Sequence, residues 1–341
     1  MQEKMASRSR ILNRFYRGFF AVWVPAFGFL VRHAPMGFNY GIARGVMKLF
    51  LALRPKYEAA IRENLAQVVG EPADSARVRE IAARMAFHHA RYWIDFFTWS
   101  ERGAVEARTQ IRVIENREVL EQVMRGGKGM IAMTAHLGNW ELGGLLLGDQ
   151  AWELAVVYVP DRFEMIEEYR SAYRRKANIT EIAITDGPFS AVEAMRVLRG
   201  GGVLAVQGDR DFNGQGVPAP FFGKTAHFPS GPAVLSMLSG APIVPLFVLR
   251  EEDVDGAGTG GFRIVVGEAI APQGNVRNPD AVEAMVRRGV AAIEKVVRAY
   301  PDQWYCFYPF WKAPPGAAPR PENTNAPDGH LPPARSNAVR T

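Results

Sequence analysis

The sequence predicts an α/β fold: a mainly parallel central sheet flanked by helices, preceded by an N-terminal helical segment that associates with a membrane. Three observations predict it. From residue 111 onward short β-rich runs alternate with helical stretches, the pattern of a layered α/β domain with a parallel sheet. Residues 10–100 instead place apolar side chains at three- and four-residue spacing, a helical period. The charge is also lopsided: residues 1–57 hold ten basic side chains against one acid, Glu3, a net of +9 in a chain whose total is +6.

Along the chain, the first segment interleaves Arg8, Arg10, Arg14, Arg17 and Arg32 with Phe15, Tyr16, Phe19, Phe20, Trp23, Phe27 and Phe29. Cations mixed with aromatics suit the interfacial zone of an anionic membrane. Nucleic acid is the competing polyanion, but the apolar content exceeds what a phosphate-tracking surface needs and no nucleic-acid module follows. The uncharged run between Arg17 and Arg32 is fourteen residues long and contains Pro25, against the ~20 apolar residues of a span. No small-residue cleavage site follows it cleanly. A helix lying in the cytoplasmic leaflet of the inner membrane is therefore expected, with a single tilted span and an ordinary buried helix as alternatives.

Helices are expected at 57–69 and at 75–99, the second capped by Asp74-Ser75. Strands are expected at 111–114, 129–133, 154–159, 181–185, 203–207, 243–249 and 262–266. Helices are expected between them at 117–125, 140–147, 163–177, 188–198 and 231–238, with a last one at 279–299. The glycine-rich stretch 256–261 reads as a hairpin loop; no helix follows it, which argues against a phosphate-binding loop. Beyond Lys312 the chain is rich in Ala and Pro and cannot bury enough apolar surface to order itself. The organisation is thus a basic, aromatic membrane-associating segment (1–57), a catalytic-sized domain (58–312) and a disordered tail (313–341). With 341 residues, 48% of them hydrophobic, the chain can bury a large core. A single cysteine, Cys306, excludes an intrachain disulfide framework and a cysteine-based zinc cluster within one chain.

The most informative word is His136-Leu137-Gly138-Asn139-Trp140-Glu141. It follows a buried strand and opens a helix, and carboxyl-end turns of this kind carry ligands and chemistry in open α/β sheets. A neutral imidazole can take a proton from a hydroxyl at pH 7 if its other ring nitrogen is held. Glu141 is the nearest candidate holder, able to fold back across the turn. The plainer alternative is a helix-capping His136 followed by a first-turn acid.

The block 134–141 resembles the His-x4-Asp/Glu block of the lysophospholipid acyltransferase superfamily, and within it the lipid A late (lauroyl/myristoyl) acyltransferases. Further words agree in order: Arg62-Glu63-Asn64-Leu65, Leu198-Arg199-Gly200-Gly201-Gly202-Val203, Gly208-Asp209-Arg210-Asp211-Phe212, Pro220-Phe221-Phe222-Gly223, Ser230-Gly231-Pro232-Ala233 and Pro301-Asp302-Gln303-Trp304. The resemblance covers residues 10–312. It implies a glycerol-3-phosphate acyltransferase-like sheet, with His136 as general base on an acceptor hydroxyl that attacks an acyl thioester, and Glu141 orienting the imidazole. Backbone amides at Gly138 and Asn139 are candidates for stabilising the oxyanion.

Asp209 and Asp211, two residues apart after a strand, suggest either a metal pair or, the preferred reading, a network with Arg210 at the active-site floor in which Arg210 meets a phosphate or pantetheine group. An ordinary polar loop is the plain alternative. Arg170, Arg174, Arg175 and Lys176 form either a solvated helix face or contacts to an anionic acceptor or acidic carrier. Relatives in the family often have Arg directly after the Tyr of the preceding strand; here Tyr158-Val159-Pro160-Asp161-Arg162 departs from that, and Arg162 is the candidate substitute. Phe221 and Phe222 either line an acyl channel or belong to the core.

The expected function is a membrane-associated acyltransferase moving a fatty acyl chain from acyl carrier protein or coenzyme A to a hydroxyl of a glycolipid such as a lipid A precursor. It would need no metal or redox cofactor and would not bind nucleic acid. A phosphatidylinositol mannoside or other glycolipid or lysolipid acyltransferase is the alternative within the class. A non-catalytic lipid-binding protein and a thioester hydrolase are the rivals outside it.

Overall fold

The computed structural model describes residues 28–29, 31, 33–147, 152–160, 164–184, 189–212, 214–251 and 260–312. The expected interfacial residues 1–27, Arg162, most of the glycine-rich loop and the tail 313–341 lie outside the described residues.

The first described elements are helical: α1 (Met36–Leu53), α2 (Pro55–Val69), α3 (Ala76–Arg102) and the short α4 (Ala104–Arg108). Their ends follow local chemistry. Pro55 opens α2, where a missing N–H costs nothing, and Gly70 closes it with φ of 73°. The Ser75 hydroxyl accepts the Val78 N–H at 3.1 Å and caps α3.

The rest alternates as expected: β1 (Ile111–Glu115), α5 (Arg117–Arg125), β2 (Met130–Thr134), α6 (Trp140–Leu147), β3 (Leu154–Tyr158), α7 (Glu164–Lys176), β4 (Ile179–Ala183), α8 (Phe189–Arg199) and β5 (Val203–Gln207). Then come β6 (Val217–Phe221), β7 (Lys224–Phe228), α9 (Gly231–Ser239), β8 (Ile243–Arg250), β9 (Phe262–Val266) and α10 (Pro279–Ala299), closed by a turn of 3₁₀ helix at Pro301–Gln303. Seven strands form one sheet in the order β1-β9-β8-β2-β5-β3-β4. Every neighbouring pair is parallel except β8 and β9. The glycine-rich segment joining those two is too short for a helical crossover, so the strand returns antiparallel.

Because both faces of this sheet are covered, its central strands are continuously apolar. On β2, Ile131 and Met133 enter one core together with Val197, Phe247 and Ile293. Met130 and Ala132 enter the other with Leu142, Val244 and Val248. All eight residues of β8 are buried.

Two departures from expectation have local causes. The fourth strand begins at Ile179, two residues early, because Asn178 takes a left-handed φ of 55° just after α7 and sets Ile179 against Leu154. The β6–β7 hairpin was not among the expected strands, and its first strand carries Pro218 and Pro220, residues that sheets confine to edges. As a two-stranded sheet it has edges to spare for prolines, and Phe222 (φ 50°) and Gly223 (φ 76°) close it with the paired positive φ of a tight primed turn.

Helix α1 lies on α3 and is held there by a buried polar network. The Tyr40 hydroxyl donates to Asp95 at 2.6 Å, and Asp95 also pairs with Arg250 from β8 and accepts from the Asn139 side chain at 3.4 Å. The opposite face of α1 is unburied: Phe38, Ile42, Val46, Leu49 and Leu53 are between 39% and 69% exposed, at the three- and four-residue spacing of one helix stripe. Arg44, Lys48, Arg54 and Lys56 lie in and just beyond this helix. No described helix is long and apolar enough to cross a membrane.

Candidate active site

His136 and Asp209 leave the sheet from the carboxyl ends of adjacent parallel strands. Thr134 ends β2 and pairs in register with Gln207, which ends β5, so the residues two further along both chains meet above the sheet. The connections from these strands then cover opposite faces, with α6 contributing to one core and α9 to the other. Such a crevice is where open α/β sheets bind ligands.

The pairing is tight. His136 Nδ1 lies 2.7 Å from Asp209 Oδ1, while Asp209 Oδ2 accepts the His136 backbone N–H at 3.1 Å and the Trp304 indole N–H at 3.2 Å. An ionised carboxylate can only accept, so Nδ1 carries the proton and Nε2 keeps its lone pair. Burial works to raise the Asp209 carboxyl, but the His136 contacts and Arg210 outweigh it and hold the pKa down at about 2. Burial, and then the Arg210 charge, push His136 below the ordinary histidine value against the pull of Asp209. The imidazole is therefore neutral, and basic at Nε2, at neutral pH.

Glu141, the expected orienter, faces elsewhere. It lines the same cavity as His136, but its carboxylate lies 3.6 Å from Arg174 Nη2, and Arg174 Nη1 binds Glu181 at 3.0 Å. The physical reason is the α6 helix itself: Trp140 and Glu141 are its first two residues. The carboxylate swings toward α7, where buried Arg174 requires a counter-charge. Asp209 comes from a strand that is adjacent in space and 73 residues away in sequence.

The amides expected to form the oxyanion hole are already occupied. Gly138 N–H donates to Gln303 O at 2.9 Å, and Asn139 N–H to Val248 O at 2.7 Å. Both residues serve the turn instead. Gly138 has φ of 66°, and a Cβ there would lie 2.0 Å from Val248 O. The Asn139 side chain caps α6 by accepting Leu142 N–H at 3.3 Å.

The cavity beside His136 measures about 110 Å³. Thr134, Gln207, Tyr158, Arg170 and Arg174 give it a polar side; Leu154, Val156, Ile179 and Ala205 give it an apolar one. The Thr134 hydroxyl is buried with no partner among the described residues. The sequence reading gave no role to Thr134, Gln207 or Trp140, whose ring stands edge-on to His136 at 5.4 Å. Phe212, 6.2 Å from His136 between ring centroids, also lines the cavity.

Other expected site residues sit apart from it. Asp211 accepts the Gly214 and Gly216 N–H groups at 3.1 and 2.9 Å and shapes the loop after β5. Arg210 donates to Tyr305 O and stacks over Tyr308, placing its charge near His136 without lining the cavity. Phe222 is buried in the hairpin turn, where its N–H meets Glu294 at 2.9 Å and Arg298 covers its ring, so it belongs to the core and not to a channel. Cys306 is buried, and burial pushes its thiol up to about 12. Among the described residues, no three His, Cys, Asp or Glu side chains gather as a metal cluster.

The closing segment frames the histidine from above. Tyr305 N–H donates to His136 O at 2.8 Å, and the Gln303 side chain bridges the Arg250 N–H and C=O at 2.9 and 2.8 Å.

A family model described as bacterial lipid A biosynthesis acyltransferase matches residues 6–313. The chain is also similar to a phosphatidylinositol mannoside acyltransferase of Mycolicibacterium smegmatis, 27% identical over 74% of this chain and 79% of the relative. Phosphatidylinositol mannoside acyltransferases of two Mycobacterium tuberculosis strains are each 26% identical over 74% of this chain and 77% of the relative.

Proposed function

The chain belongs to the bacterial lipid A biosynthesis acyltransferase family and is an acyltransferase; from that premise we propose that His136, oriented by Asp209, deprotonates a hydroxyl of a membrane glycolipid for attack on an acyl thioester. The observation that carries this reading is the 2.7 Å contact between Nδ1 and Asp209, which leaves Nε2 as the basic nitrogen of a neutral imidazole.

The acceptor oxygen forms a bond to the thioester carbonyl carbon while its proton passes to Nε2. The carbonyl oxygen gains the negative charge of a tetrahedral intermediate. Collapse re-forms the carbonyl, breaks the carbon–sulfur bond and releases a thiolate, which takes the proton back from the imidazolium. Asp209 stabilises the imidazolium between the two transfers. The orphaned Thr134 hydroxyl and the Gln207 amide on the cavity wall are the donors offered to the oxyanion, in place of the committed Gly138 and Asn139 amides. The acyl chain follows Leu154, Val156, Ile179 and Ala205, and Arg170 with the Glu141-paired Arg174 meets the anionic part of a substrate.

The exposed stripe of α1 between basic residues rests on the anionic cytoplasmic face of the inner membrane, delivering the lipid acceptor to this crevice. The acyl donor is acyl carrier protein or coenzyme A carrying the chain as a thioester. For the acceptor, the family description favours a lipid A precursor, whereas the similar mycobacterial proteins favour a phosphatidylinositol mannoside. Lipid mass spectrometry of cells with the wild-type gene, with His136→Ala and without the gene decides among these. The expected result is one glycolipid that loses an acyl mass in both the deletion and the variant. Acyl transfer surviving in His136→Ala, or free fatty acid released equally fast with and without acceptor, would overturn the mechanism.

A further inference from the structure

A second and larger cavity, about 530 Å³, opens on another side of α6 from His136. Among the described residues the two cavities share no lining residue: adjacent Gly143 and Gly144 on α6 line the second and the first respectively. Ile114, Leu120, Leu246 and Ile264 form an apolar floor, and Trp152 stands beside it. Arg108, Arg112 and Arg117, from α4, β1 and α5, line it as well. Among the described lining residues the acid is Glu121, shared between Arg117 and Arg125 at 3.2 Å each. A volume in the roughly 300–1,000 Å³ range with mostly apolar walls and a few charged groups is that of a small-molecule site. Guanidinium forks suit phosphate.

Its position selects the ligand. The α4 helix follows the C-terminal end of α3, and Thr98 near that end hydrogen-bonds Met36 Sδ at 3.6 Å, at the start of α1. Met36 also packs against the same apolar cluster as Ile111, Ile114 and Leu120 of this cavity, and Val105 on α4 and Val113 on β1 are exposed apolar residues in the cavity's own elements.

We propose that this groove binds one anionic phospholipid of the bilayer, its phosphate against Arg108, Arg112 and Arg117 and an acyl chain along Ile114, Leu120 and Ile264. The site is separate from the chemistry at His136 and stands whichever acceptor that site acylates. A lipid held here anchors the wall helix α6 to the membrane that α1 rests on.

The test uses the full chain with vesicles of phosphatidylcholine alone or mixed with phosphatidylglycerol whose acyl chains carry bromine, a contact quencher of tryptophan emission. Subtracting the quenching of Trp152→Phe from that of the wild type isolates the signal of the groove. That signal is expected with brominated phosphatidylglycerol, to be weak with brominated phosphatidylcholine, and to vanish in Arg112→Ala/Arg117→Ala. Vesicle affinity should fall by about fivefold per arginine removed, the equivalent of ~1 kcal/mol for each charge near an anionic surface. A chain that floats with the vesicles but shows no Trp152-dependent quenching overturns the proposal, as does a signal indifferent to the two arginines. Native mass spectrometry from phosphatidylglycerol-containing micelles gives an independent reading should Trp152→Phe not fold. One retained lipid in the wild type and none in the arginine variant is expected; equal retention overturns it. An acidic carrier protein that binds through these arginines while no lipid is retained would put a protein partner there instead.

Discussion

Asp209 Oδ1 lies 2.7 Å from His136 Nδ1, and its second oxygen takes both the His136 backbone N–H and the Trp304 indole N–H. A carboxylate held at three points fixes the imidazole's tautomer as well as its direction. An asparagine in its place keeps the size of the side chain but removes the charge that stabilises the imidazolium and offers an N–H₂ where an acceptor is needed. Asp209→Asn is expected to lower kcat by about 10²–10⁴-fold with a much smaller change in KM, by analogy with other oriented-histidine sites. Glu141→Gln acts on Arg174 instead, so its larger effect should be on KM. Steady-state kinetics of the two variants separate the roles, and the reverse pattern would restore Glu141 as the orienter.

The pH dependence follows from the same pair. A general base works when deprotonated, so activity is lost as pH falls through the base's pKa. Burial and Arg210 lower the His136 pKa, so the acid limb of kcat/KM is expected below about pH 6.5, the ordinary histidine value. Activity should be flat from there to neutral pH. A pH–rate profile with its acid limb centred above 6.5 would contradict a buried, neutral His136.

A second buried histidine should cost stability in acid. His89 on α3 is packed against Tyr92, Tyr305 and Phe307, and burial, then the charges of Arg210 and His136, lower its pKa to about 3. The unfolded chain takes up this proton near pH 6.5 and the folded one does not until about pH 3. The folded state thus pays no penalty above pH 6.5 and a growing one below it, up to about 1.4 kcal/mol per pH unit. His89→Gln should flatten the loss of thermal midpoint between pH 6.5 and 4 relative to wild type. Parallel pH profiles for the two would show that His89 does not carry the effect.

How much of this was legible beforehand depends on the range over which each signal acts. The strands at 203–207 and 262–266 and the helix at 279–299 match the structure residue for residue, since their apolar periods and caps are local. The histidine at the strand end was readable for the same reason. Its partner was not: Asp209 reaches His136 only because β2 and β5 are neighbours in the sheet, and strand order is not written in either word. The same holds for the Gly138 and Asn139 amides, whose acceptors Gln303 and Val248 arrive from distant segments. The Phe221-Phe222 word could belong to a channel or to a core, and the turn geometry of the β6–β7 hairpin decides for the core.

The network joining α1 to the sheet should be costly to break. Removing the Asp95 carboxylate strands the buried Arg250 guanidinium and leaves the Tyr40 hydroxyl and Asn139 amide without their acceptor. Asp95→Ala is expected to lose about 3–5 kcal/mol. Tyr40→Phe deletes a single hydrogen bond to a charged group and should lose about 1.5–3 kcal/mol. Urea unfolding of both variants checks the order, and a Tyr40→Phe cost equal to that of Asp95→Ala would mean that the carboxylate's charge is not what the network protects.

Two glycines close to His136 in the chain should respond in opposite ways. At Gly138 the φ of 66° is itself unfavourable to an L side chain, by about 1–2 kcal/mol. The added Cβ would also meet Val248 O at 2.0 Å, a backbone atom of a fully buried strand that has no room to retreat. Gly138→Ala must therefore move the turn, breaking the 2.9 Å and 2.7 Å bonds to Gln303 and Val248 and displacing His136; a loss of more than about 3 kcal/mol together with the activity is expected. At Gly144, inside α6, a Cβ would meet, among the described residues, the flexible tip of Ile179 at 3.2 Å. Exchanging a helical glycine for alanine gains up to about 1 kcal/mol of helix propensity, which offsets that contact. The same methyl intrudes on the apolar side of the His136 cavity, so Gly144→Ala should fold normally and shift donor preference toward shorter acyl chains. Turnover measured with a series of acyl thioesters gives the answer: an unchanged length profile would place the acyl chain along a different wall.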